Sequence, residues 1–460
     1  MQSITTMSPA ITVAFSVPFL AVTSGAASPL AVLLAAAVSY LLGYSLAQIS
    51  RHITSAGSYH TFTERLFGKS LGFMVAWMYL LFYPLAAGML CALLGQTLHD
   101  IMLSEAHWSL PWWIPAALML VTATAITYRG LALSIRFVVA LGLFELLVMT
   151  VLAIWGLADP GPGGTSRAWI HAGGSLGGHN FFLAFIFSIY SFTGWDAAAA
   201  LGEETANPKR NIPIAILGSI VVLGLFVMLT TWGQLAGWGT AQLGHFSDAH
   251  PLPVIAIAQR FWGVGWILVL LAIVNSLFGA TLASMNAATR FMYDLGRSGV
   301  LPRSLNRLTR HQTPSVALVV QTVISLAVLF GLTAAVGIEN IYNFTGLLFV
   351  FTLTFVYIIG SMAVPRLYLT SARSEFHVVK HILIPLIGGV ALMAVAYESL
   401  NPAPAAPLNW ALPGVLIWAG VGIACLAARV VRARRPGAVG QAQVSPQEAT
   451  TTTNPSAIAQ

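Results

Sequence analysis

Two carboxylates stand where carboxylates are costly. Glu145 lies between Phe144 and Leu146 in a run of Val, Ala, Leu, Gly, Phe and Met. Asp196 ends the stretch Ser191-Phe192-Thr193-Gly194-Trp195-Asp196, which follows a purely apolar approach. An ionised carboxylate inside a hydrocarbon layer is expensive, so such a group faces a polar cavity or a partner. A buried acid can load and release a proton, or it can pair with a cationic amine. For Glu145 the alternative is a protonated carboxyl that hydrogen-bonds across helices for packing. Asn275 and Ser276, in the middle of another apolar run, pose the same choice between an ion site and helix–helix hydrogen bonding.

The residues before Asp196 carry a second signal. A glycine flanked by hydroxyl side chains and followed by an acid is poor material for an unbroken transmembrane helix. A break there frees backbone N–H and C=O groups, which survive at membrane depth only beside protein or a polar cavity. Discontinuous helices of this kind bind substrate at the midplane of secondary transporters. The alternative is a kinked helix whose hydroxyls bond back to their own carbonyls. Met7-Ser8-Pro9-Ala10 puts a helix-breaking proline early in a charge-free run, which pairs it with the first break. Any enclosed site also needs aromatic lids to exclude water. Tyr190, Phe192 and Trp195 are the nearest candidates, with Tyr83 and Tyr342 further off.

Other chemistries lack their residues. All eleven histidines fall in loops or at the ends of apolar runs, so Ser–His–Asp catalysis within the membrane has no base. No metal-ligand spacing and no phosphate-binding Gly-Lys-Ser/Thr loop is present. Neither an enzyme, a cofactor nor a metal is expected. Cys91 and Cys425 both sit in apolar runs and read as core residues.

The elements that position these groups follow from composition. Apolar residues make up 57% of the 460 and charged residues 8%, against about 25% charged in soluble domains. Mean hydropathy is +0.81. Charge-free stretches recur at 1–50, 70–99, 106–128, 168–195, 211–247, 261–289, 311–338, 340–365 and 399–428. Each can supply the ~20 residues that cross a ~30 Å hydrocarbon core. Apolar runs read against breakers predict an all-α polytopic membrane protein with about twelve spans. They fall at 2–25, 29–49, 69–98, 112–128, 131–157, 177–203, 211–237, 260–290, 314–336, 339–366, 381–398 and 408–429. Pro213 suits the first turn of the seventh. The tail at 437–460 reads as disordered and cytoplasmic.

With the N-terminus in the cytoplasm, 19 of the 21 basic residues fall on that side; only Arg167 and Arg260 do not. This bias orients both termini inward in a cell (cytoplasmic) membrane. The net charge of +7 is then a topology signal, which removes nucleic acid as a partner.

At this point the residues carry a resemblance. Glu203-Glu204-x-x-Asn207-Pro208-Lys209-Arg210-Asn211-Ile212-Pro213-x-Ala215-Ile216 resembles the signature after the sixth helix in permeases of the amino acid–polyamine–organocation superfamily. Ser55-Ala56-Gly57-Ser58-Tyr59, Arg129-Gly130 with Ser134 and Arg136, and Asn286 through Pro302 are similar to three further family segments. The likeness covers roughly residues 1–430. It departs in having Asp196 where Glu is common, and Ser8-Pro9 in place of a glycine-rich first break. Only eight residues precede Pro9, so the first half-helix is short or begins upstream.

The resemblance implies the leucine-transporter-type fold. Residues 1–157 would form one five-helix repeat, 177–367 its inverted partner, and 380–432 two additional helices. It implies a secondary active amino-acid transporter working by alternating access, most simply a proton symporter of neutral amino acids. The alternatives are a transporter of cationic amino acids, polyamines or related amines, and a non-transporting sensor of the same fold. The substrate carboxylate would meet freed N–H groups of the first break, which spans Met7, Ser8, Pro9, Ala10 and Ile11, Pro9 itself having no N–H to give. Its amino group would meet carbonyls at Tyr190, Ser191, Phe192, Thr193 and Gly194. Tyr83, Trp195 and Tyr342 are the expected gates. Glu145, Asp196, Asn275 and Ser276 are the expected coupling residues, for a proton in preference to sodium.

Overall fold

The computed structural model describes residues 8–53, 58–130, 135–163, 179–201, 205–309, 313–401 and 404–434. The described residues form an all-helical bundle, with no paired strands beyond one isolated bridge between Leu308 and Pro314. In chain order the helices are α1 Pro9–Ser24, α2 Ser28–Ser50, α3 Ser58–Phe67, α4 Lys69–Ala106, α5 Trp113–Tyr128, α6 Ile135–Ala158 and α7 His179–Ser191. After a short 3₁₀ segment at Trp195–Leu201 come α8 Pro208–Trp238, α9 Pro253–Trp262, α10 Trp266–Arg297, α11 Ser315–Leu326, α12 Ile341–Thr370, α13 Ile384–Glu398 and α14 Ala411–Arg434. Nine stretches among the described residues are long and apolar enough to cross a membrane, and α5 and most of α7 are shorter apolar helices. The chain is a multi-pass membrane protein.

Several boundaries differ from those the apolar runs predict. α3 and α9 are absent from the sequence reading because neither is a long apolar run. In α3, Tyr59, His60, Phe62 and Thr63 are buried while the side chains of Glu64 and Arg65 reach the surface, the amphipathic pattern of a helix lying on the bundle. α8 starts at Pro208 rather than 211. Asn207 takes a left-handed φ of 49° and Pro208 occupies the first turn, which leaves Pro213 inside the helix. α4 continues to Ala106, although Pro84 lies within it. The predicted tail at 437–460 lies outside the described residues.

The charge pattern predicts that basic residues gather on one face, and arginines expected there bind carbonyls at helix ends. The Arg366 guanidinium donates to Leu66 O and lies over the Phe67 ring. Arg429 donates to the carbonyls of Gly299 and Val300 at 2.8 and 3.2 Å. Among residues the charge pattern assigns to the other face, Arg260 meets Asp159 at 3.6 Å, and Gln259 donates to Glu105 at 2.8 Å. Between the two faces the core is a continuous cluster of Leu, Ile, Val, Ala and aromatic side chains. α2 packs most extensively on α8, and α12 on α4.

Candidate functional site

The break predicted at Thr193-Gly194 is present. α7 ends at Ser191, the chain turns, and a 3₁₀ segment resumes at Trp195. Gly194 has φ +110°, a conformation that side chains with a Cβ rarely adopt. On the first helix, Ser8 is left-handed (φ 48°) and α1 begins at Pro9, where a missing N–H costs nothing. One hydrogen bond ties the two elements: the Ser16 and Ser191 hydroxyls lie 3.0 Å apart. Aromatic contacts extend the seam, with Phe19 on Phe187 at 4.5 Å and Phe15 on Tyr342 at 5.9 Å between ring centroids.

Below the break, Asp196 sits in a ring of phenols. Tyr79 donates to its Oδ2 at 2.8 Å and Tyr83 to the same oxygen at 3.4 Å, both from α4. Tyr357 of α12 donates to Oδ1 at 3.2 Å. The carboxyl is 2% exposed, so these three hydroxyls replace its hydration. Tyr79 and Tyr83 are one helical turn apart and stack at 5.3 Å, which aims both at one target. Trp195 lies 4.9 Å from Tyr357, and Tyr59 of α3 lies 5.4 Å from it. Gly360 makes room for Tyr59: a Cβ there would fall 2.1 Å from the Tyr59 ring. Four helical elements thus converge on one buried acid.

The second acid is placed differently. Glu145 of α6 is 3% exposed and faces Ser276 of α10. Glu145 Oε2 makes no hydrogen bond among the described residues, and Ser276 is the polar side chain set against the carboxyl. Asn275 does not join them; its side-chain amide donates to Leu141 O at 3.2 Å, a contact between α10 and α6. A buried carboxyl with an unsatisfied oxygen is costly unless it is protonated or meets a cation. Glu145 and Ser276 thus stand together between α6 and α10, and Asn275 hydrogen-bonds across the same two helices.

The expected site residues therefore separate into groups. Ser8, Pro9, Ala10 and Ile11 form the buried start of α1, and Ser191 turns toward α1. Phe192 and Trp195 are fully buried in the bundle. Thr193 instead lines a small apolar cavity with Ile189, Leu353 and Tyr357 that reaches α13 through Leu392 and Val395. Met7 and the Tyr190 side chain lie outside the described residues. Of the expected gates, Tyr83 and Trp195 flank Asp196, whereas Tyr342 packs on Phe15 at the other end of the seam. Tyr79, Tyr357, Tyr59 and Ser16 are the residues that sequence reasoning missed. The spacing of Tyr79 and Tyr83 was the available signal; nothing in the sequence pointed to Tyr357 or Ser16.

With this geometry in view, comparison with known proteins places the chain. A family model described as amino acid permease matches residues 2–426. Among similar proteins, the low-affinity putrescine importer PlaP of Escherichia coli strain K12 is 25% identical over 388 residues, 82% of each chain. The branched-chain amino acid permease BcaP of Bacillus subtilis is 23% identical over 317 residues, 65% of this chain and 66% of the relative. The methylthioribose transporter of Bacillus subtilis is 24% identical over 295 residues, 61% of each chain.

Proposed function

The chain belongs to the amino acid permease family, and from that membership we propose that it moves neutral amino acids across the cell membrane with a proton, by alternating access. The observation that carries this reading is the broken helix at Thr193-Gly194, whose first half packs on α1 and is tied to the middle of that helix by Ser16 and Ser191. The positive end of the helix dipole at the start of α1 favours an anion, which suits a substrate carboxylate near its first turn. Unpaired carbonyls at the end of α7 suit an ammonium near Tyr190–Gly194. No Lys or Arg lies within the central part of a span to take up a second carboxylate.

In this reading the basic face is cytoplasmic, following the positive-inside bias, and both termini lie there. The chain crosses twelve times, α1 to α6 without α3 forming one repeat and α7 to α12 without α9 its inverted partner. The acid ringed by Tyr79, Tyr83 and Tyr357 then closes the cytoplasmic path, while Phe15, Tyr342 and the Phe19–Phe187 pair close the outer one. Glu145 carries the coupling proton, with the Ser276 hydroxyl beside it as a hydrogen-bonding partner.

A second reading has a specific observation behind it. A carboxylate walled by tyrosines and a tryptophan is also a receptor for an organic ammonium, through charge and cation–π attraction. On this reading the substrate is a cationic amino acid or a polyamine, and Asp196 exchanges its phenols for the ligand. Competition of uptake by a panel of neutral amino acids, arginine, lysine and putrescine separates the two. Inhibition by neutral amino acids alone supports the first reading; inhibition by amines that lack a carboxylate overturns it.

A further inference from the structure

A polar cluster on the basic face plays no part in the site above. It joins the end of α2, the end of α12, and the link leading into α13. His52 Nε2 lies 3.0 Å from the Tyr368 hydroxyl and 3.5 Å from Glu375 Oε2. The Tyr368 hydroxyl donates to Gln48 Oε1 at 3.1 Å. A phenol has one proton. Since Tyr368 gives its proton to Gln48, its oxygen must accept from His52, which makes His52 Nε2 a proton-bearing donor. That arrangement holds for the neutral ring and for the imidazolium alike. Only the imidazolium adds an ion pair with Glu375.

The second histidine in the cluster is fixed in the opposite sense. His381 stacks face to face on Tyr368, with centroids 3.5 Å apart and planes 8° from parallel. Its Nδ1 accepts the backbone N–H of His377 at 3.0 Å. Protonation at Nδ1 would destroy that bond, so His381 serves as a neutral platform and His52 is the group that can gain charge. The other titratable and charged groups facing the pair are Tyr44 and Arg51 from α2, and His377 and Lys380 from the segment before α13. Glu375 is the sole acid among them.

We propose that His52, Tyr368 and Glu375 form a proton-sensitive tie that fastens the basic-face end of α2 to the link between α12 and α13. α2 packs most on α8 and α12 most on α4, and α2 also packs on α12 and α13, so the tie reinforces the seam between α2 and the α12–α13 pair, which opening on this face would have to loosen. Acid on this face charges His52, adds the Glu375 pair and holds the face shut. At alkaline pH the hydrogen-bonded chain to Tyr368 and Gln48 remains without the ion pair. The consequence for transport rests on the proposed function; the tie itself does not.

Two measurements on the full-length protein test it, using wild type, Glu375→Gln and His52→Gln. Glu375 is exposed, so its substitution leaves the fold intact. The first is hydrogen–deuterium exchange of residues 371–376, corrected for intrinsic rate, between about pH 8 and pH 5.5, the window in which histidine charges. Wild type gains about two- to fivefold protection on acidification, the scale of an exposed ion pair, and both variants stay flat. The second is exchange of labelled leucine or putrescine in proteoliposomes at symmetric pH, where acid slows wild type relative to both variants by a similar factor. Coincident protection profiles for wild type and Glu375→Gln overturn the tie. Flat variants in a protein that exchanges neither leucine nor putrescine sustain the tie and count against the proposed function instead.

Discussion

Tyr79 donates its hydroxyl to Asp196 Oδ2 at 2.8 Å, joining residues 117 positions apart in sequence. This is the shortest of three phenol contacts to the same carboxyl; Tyr357 follows at 3.2 Å and Tyr83 at 3.4 Å. The order of distances predicts an order of effects. Tyr79→Phe should impair transport most, Tyr357→Phe less and Tyr83→Phe least, because bond strength falls steeply with length. Asp196→Asn should reduce uptake by at least about tenfold, since an amide cannot accept at both positions and a buried donor left unmatched costs ~1–3 kcal/mol. Initial rates at matched expression check this. Equal rates for the three phenylalanine variants and for wild type would remove the cluster from the transport cycle.

Gly194→Val tests the break. At φ +110° a β-branched residue is strained, and the chain must either reform the turn or lose it. Uptake should fall to background while surface expression persists. Wild-type uptake by a well-expressed variant would show that the turn has no bearing on substrate.

How much of this was legible beforehand depends on the physics behind each feature. The break could be read because Ser191, Thr193, Gly194 and Asp196 are adjacent, and local composition dictates local backbone. The spans could be read because hydrocarbon demands long charge-free runs. α3 could not be found that way, since a helix lying on the bundle buries only one stripe. Nor could the partners of Asp196 be found. Tyr79, Tyr83 and Tyr357 meet it through helix packing, and a tyrosine inside an apolar run looks the same whether its hydroxyl meets an acid or a carbonyl. Asn275 and Ser276 could not be told apart in sequence; in the fold the Asn275 amide donates to Leu141 O and Ser276 is the residue that faces Glu145.

Gly360→Ala probes the packing that supports the cluster. The added methyl would lie 2.1 Å from the Tyr59 ring, so Tyr59 must move, at about 1–3 kcal/mol for overpacking. A lower thermal midpoint is expected, and Tyr59→Leu in the same chain should recover most of it. Failure of the second change to restore any stability would mean that the contact is not what Gly360 provides.

Glu145→Gln separates coupling from packing. The amide keeps the shape and the hydrogen-bonding capacity toward Ser276 but cannot carry a proton. Exchange of substrate across the membrane should survive, while its pH dependence and its concentrative uptake disappear. An unchanged pH profile together with normal accumulation would assign Glu145 to helix packing.

The most direct test of the account as a whole is uptake into proteoliposomes containing the purified wild-type protein, with an imposed inward proton gradient. Labelled leucine should accumulate above its external concentration, collapse when a protonophore is added, and show no requirement for sodium. Sodium-dependent accumulation would contradict proton coupling, and saturable binding with no flux under any gradient would contradict transport itself.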